Sequence, residues 1–136
     1  WLIRRFVDAS AIFLFVAPSE VEGVASRFNA TAFDIEGTFW SHRGDLCTFD
    51  VMIEEWGFGI EPLLHLAKIV RAADTARLDL APEATGLLAA SLGLSRMYTD
   101  DLKQLEAGMT LYDAFYRWCR DATDETHNWP TNKVKP

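Results

Sequence analysis

Between Phe33 and Asp50 the sequence gathers one imidazole, one thiol, one guanidinium and four carboxylates into eighteen positions. Asp34, Glu36, His42 and Cys47 make a mixed oxygen, nitrogen and sulfur donor set, the kind that holds a divalent transition metal such as zinc or manganese. Their spacing follows no standard zinc signature. Arg43 suits the other ligand class, a tetrahedral oxyanion. A guanidinium fork just ahead of a helix start acts together with the free N–H groups of that helix. Cys47 adds a third chemistry. Near a helix N-terminus the partial positive charge favours thiolate, so Cys47 is the electron donor if the domain does redox work. The other cysteine, Cys119, lies far along the chain and offers no local resolving thiol. Arg71, Asp74 and Asp113 form a second tier of charged groups, each with a structural explanation at hand as an ion-pair or helix-end residue. A plainer reading stands beside all of these: Cys47 as a small buried residue and His42 as a hydrogen-bonded loop side chain.

Elements must hold these groups in place. Phe33 and Ile35 alternate with Asp34 and Glu36, which predicts a short strand over about 32–36 that Gly37 breaks. Ala11 to Ala17 is a continuous apolar run, the pattern of a strand buried on both faces. Between them Ser19 and Glu22 form a capping box for a helix that Asn29 closes. A strand, a helix and a strand in so short a span predict parallel pairing, with a third weak strand near 38–41. Asp45 is the predicted N-cap of the next helix, whose face of Leu46, Phe49, Ile53 and Trp56 stops at Gly57. Further helices follow from Pro62, from Pro82 to a stop at Gly93, and from about Asp100 to Asp121. The last is apolar on two faces, which makes it central. The expected class is α+β, mostly α: a small two- or three-stranded sheet within residues 11–41, packed on a bundle of about four to six helices. Residues 1–121 read as a single domain and 122–136 as a polar, flexible tail, with His127 exposed in it.

Composition narrows the function. The 136 residues carry a net charge of −7, which argues against a direct nucleic-acid surface and repels a free dianion at long range. Any oxyanion site must then be locally basic. No apolar run is long enough to span a bilayer. No Gly-rich phosphate loop or nucleophile elbow appears, so no nucleotide cofactor is expected.

The run His42-Arg43-Gly44-Asp45-Leu46-Cys47-Thr48-Phe49 resembles the C-terminal domain of the bacterial chromate-resistance protein ChrB family. Trp1-Leu2-Ile3-Arg4-Arg5-Phe6-Val7-Asp8, Phe33-Asp34-Ile35, Ile69-Val70-Arg71-Ala72-Ala73-Asp74-Thr75, Ala81-Pro82-Glu83-Ala84 and Tyr112-Asp113-Ala114 fit it in the same order. The resemblance implies a sensor or accessory role in chromate resistance, with chromate or a metal ion as partner and an upstream domain of the same chain. It implies a bacterial cytoplasmic location, export staying open because the chain opens at Trp1. Two readings compete: a thiol-dependent chromate reductase, and a structural interaction domain for a DNA-binding regulator.

Overall fold

The computed structural model describes residues 1–126, and the expectations for His127 and most of the tail lie outside them. Five α-helices account for the regular structure: α1 (Val21–Phe28), α2 (Thr48–Trp56), α3 (Glu61–Asp74), α4 (Ala84–Met97) and α5 (Asp101–Asp121). A π-helical turn (Ile3–Val7) opens the chain, and 3-10 turns at Pro18–Glu20 and Leu78–Leu80 lead toward α1 and α4.

The centre is α3, which packs against α2, α4 and α5. Its sequence explains both its ends and its burial. Pro62 sits in the first turn, where a missing N–H leaves no gap in the hydrogen bonding. Leu63, Leu66 and Ile69 are fully buried at helical spacing. At the far end Thr75 closes the helix, its N–H and hydroxyl both donating to the Arg71 carbonyl at 2.9 and 2.7 Å. One part of the core joins Cys47, Leu66, Ile69, Ala84, Leu87 and Cys119. The other joins Leu2, Met52, Ile53, Leu63 and Ala67, and Trp1, Phe49 and Tyr116 lie against both. The predicted α5 is present but lies beside α3 instead of at the centre, with only Met109 and Cys119 of it buried. It is capped by Asp100, whose carboxylate accepts from the N–H groups of Leu102 and Lys103. Among the described residues no helix is long and apolar enough to cross a membrane.

The expected sheet is absent, so the α+β class is corrected to a helical one. Among the described residues there are no strands, only isolated bridges between Phe33 and Trp40 and between Arg43 and Leu46. Two physical reasons account for this. Asp34 adopts a left-handed backbone, φ 56°, which breaks the alternation that residues 32–36 display in sequence. The apolar run Ala11–Ala17 then has no neighbouring strand to pair with and lies as coil.

Three helix limits also differ from expectation. The Ser19–Glu22 capping box does not form: Ser19 lies in the 3-10 turn, and α1 starts at Val21 with Glu20 as N-cap and no side-chain cap bond. Arg43 and Leu46 exchange both backbone hydrogen bonds, at 3.1 and 3.0 Å, around a turn whose Gly44 has φ 58°. Asp45 is spent in that turn, so the N-cap of α2 is Cys47 rather than Asp45. In α4 the chain runs straight through Gly93, which keeps a negative φ, and stops only at Met97.

Candidate functional site

The site forms where the loop before α2, the start of α2 and the end of α3 meet. The loop is folded on itself. The Asp34 N–H donates to the Trp40 carbonyl at 2.7 Å, and the Thr38 hydroxyl donates to the Ile35 carbonyl at 2.8 Å. Gly37, at φ 85°, takes the sharp bend between them. This fold turns the Asp34 carboxylate onto the Thr48 hydroxyl, which donates to it at 2.7 Å from the first residue of α2. His42 follows on the same side. Its Nε2 lies 3.1 Å from Oδ2 of Asp74, the last residue of α3, and 3.9 Å from Oδ1 of Asp34. These three side chains are about half exposed and form the mouth of the site.

Beneath them lies a buried layer. Asp50, only 6% exposed, reaches back from the first turn of α2 to accept from the Cys47 N–H at 3.1 Å and the Cys47 thiol at 3.2 Å. Its other oxygen accepts from Nη1 of Arg71 at 2.8 Å. A buried carboxylate needs such partners, since desolvation penalises an unpaired charge heavily. Burial is also the first cause that holds the Asp74 carboxyl above its ordinary range. His42 opposes that shift, while the Asp34 and Asp50 charges add to it. Tyr112, from α5, is pushed up to about 12 by burial and then by the charges of Asp74 and Cys47.

Of the groups singled out in the sequence, Asp34, His42 and Cys47 are brought together, and Arg71 and Asp74 join them from α3. Arg43 is not part of the group. It pairs with Glu55 at 2.5 Å and lies over the Phe39 ring. Glu36 is exposed in the turn and contacts none of them. Asp113 is elsewhere, bridging Arg5 and the Trp1 indole N–H on α5. Thr48, Asp50 and Tyr112 were not anticipated. Asp50 had a local signal, a carboxylate three residues after the cap, whereas Tyr112 reaches the site only through the packing of α5 on α3.

The thiol differs from expectation. The helix end should favour thiolate, but Cys47 is 2% exposed, and burial, with Asp50 and Asp74 nearby, pushes it up to about 12. Burial pushes Cys119 up to about 11. Thiol labelling of the native chain should therefore be slow at both positions near neutral pH and accelerate toward alkaline pH, with Cys119 ahead of Cys47. Rapid labelling of Cys47 near neutral pH would contradict this placement.

The family model described as ChrB, C-terminal domain, matches residues 1–119. The chain belongs to that family. Protein ChrB of Cupriavidus metallidurans (strain ATCC 43123 / DSM 2839 / NBRC 102507 / CH34) is 32% identical over 118 residues, which is 85% of this chain and 35% of the relative. The chain thus spans about a third of the length of that ChrB protein. No solved structure matches it. The match to the ChrB C-terminal domain takes in every residue of the site, from Asp34 to Tyr112.

Proposed function

We propose that this ChrB-family domain serves chromate resistance as a divalent-cation-binding sensor or accessory module, with Asp34, His42 and Asp74 as the ligand groups. The observation that carries the reading is His42 set between two carboxylates at the mouth of the site. Imidazole with carboxylate oxygens suits zinc or manganese. Among the described residues no three such side chains already stand in metal-holding geometry. Ligation asks His42 to exchange its contact with Asp74 for one with the ion. An oxyanion is served less well. Arg71 is committed to Asp50 and Arg43 to Glu55, and two exposed carboxylates at the mouth repel a dianion. A thiol-dependent reductase is likewise poorly served by a buried, protonated Cys47. In a protein built like the longer relative, the remaining chain would read the state of this site.

Calorimetric titration with zinc, manganese and chromate at pH 6 and pH 8 tests the reading. Ligands must be deprotonated to bind a metal, and an imidazole ligand competes with protons in this pH range. Cation affinity should then be higher at pH 8 than at pH 6. It should drop by about tenfold or more in His42→Ala and in Asp74→Asn, and stay unchanged in Arg43→Ala. Chromate binding that weakens with salt and is lost in Arg43→Ala would sink the proposal, as would cation binding that survives both ligand substitutions.

A further inference from the structure

Residues 11–17 combine the sequence of a buried strand with the surroundings of an exposed coil. Ile12 is 86% exposed, Leu14 49% and Phe15 51%. From Ile12 to Val16 no backbone N–H or carbonyl makes a hydrogen bond to any described residue. The run borders a cleft of about 660 Å³ closed on its other sides by α1, by residues 30–35, and by Trp40 and Trp56. Phe13 leans across it to meet the Phe33 ring at 6.2 Å. A run of this kind, apolar and with its backbone unpaired, is a template for pairing with another strand.

We propose that the partner is a second copy of this chain, its Ile12–Val16 paired antiparallel with the same run about a two-fold axis at Leu14. Three observations favour a copy over an unrelated strand. The sequence Ile-Phe-Leu-Phe-Val is pseudo-palindromic, so the pairing sets Ile12 against Val16, Phe13 against Phe15 and Leu14 against itself. Each of these is a favourable cross-strand pair, and an isologous contact requires such self-complementarity. Charge points the same way. A chain of net charge −7 repels its copy, yet no charged residue lies between Asp8 and Glu20. Area agrees as well. Ile12, Leu14, Phe15, Val16 and Phe33 together expose roughly 500 Å² of apolar surface, at ordinary side-chain sizes. A standard interface buries about 800 Å² per partner, a little over half of it apolar. Asp34 borders the cleft, but the pairing of Ile12–Val16 with its copy needs none of Asp34, His42 or Asp74 as a partner, so it stands or falls separately from the cation reading.

Sedimentation equilibrium of the 136-residue chain over a wide concentration range supplies the test. The expected mass at high concentration is twice the 15.3 kDa of one chain. Leu14→Lys places two like charges opposite each other and should raise the dissociation constant by about a hundredfold or more. Leu14→Cys should cross-link to itself under mild oxidation, because position 14 faces its own copy, whereas Ile12→Cys should not. The native cysteines are buried and leave that assay clear. Far-UV dichroism checks that each variant keeps its helices, and Phe15→Lys replaces Leu14→Lys if it does not. A chain that stays at 15.3 kDa throughout overturns the proposal. So does a dimer indifferent to Leu14→Lys and not linked by Leu14→Cys, or a monomer that recruits a different protein through this run.

Discussion

Replacing Arg71 with Met should destabilise the domain by about 3 kcal/mol, the lower end of what breaking a buried ion pair costs. The Asp50 side chain is 7% exposed and Arg71 only 25%, so the carboxylate left behind keeps the Cys47 N–H and thiol but has no counter-charge. The cost is that of an uncompensated buried charge more than of a lost attraction. Arg43→Met is the matched control. Its pair with Glu55 is more than a third exposed on each side, and its loss should cost no more than about 1 kcal/mol. Urea unfolding of the two variants beside the parent chain decides the matter. Equal midpoints for the two would show that the Asp50–Arg71 pair is not the anchor of the buried layer.

Leu66→Ala should be comparably damaging. Leu66 is fully buried on α3, in the part of the core that α4 and α5 share. A loss of about 2–5 kcal/mol is expected from the removed apolar contacts and the cavity left behind. Ile12→Ala removes a larger apolar side chain than alanine at a position 86% exposed, and should leave the stability of the isolated chain almost unchanged. Thermal melts at low protein concentration compare the two. A small effect at Leu66 would mean that the α3 core can collapse around the gap.

The helices were legible because their signals are local. The spacing of Leu63, Leu66, Ala67 and Val70, the proline at position 62 and the glycine at position 57 each act within a turn or two. α5 was legible for the same reason. The sheet was misread because strand pairing is not local. Ala11–Ala17 has the composition of a strand, but composition cannot supply the neighbour, and the left-handed Asp34 removes it. The cap of α2 failed on a similar point, since Asp45 is a good capping residue that the Arg43–Leu46 turn had already engaged. In the candidate site, Asp34, His42 and Cys47 lie near one another because they share one loop. Asp74 carries no such local signal, since only the packing of α3 brings it to His42.

The left-handed backbone at Asp34 constrains how this position can drift. Asparagine and glycine adopt φ near 56° with little penalty, whereas glutamate and most other side chains resist it. Conserving charge and conserving shape are therefore opposed here. A lineage can shed the carboxylate in one step, to Asn or Gly, without disturbing the loop that delivers His42. Lengthening the side chain to Glu keeps the charge but strains the backbone that aims it. Relatives that differ at the equivalent position should thus show Asn or Gly there more often than Glu.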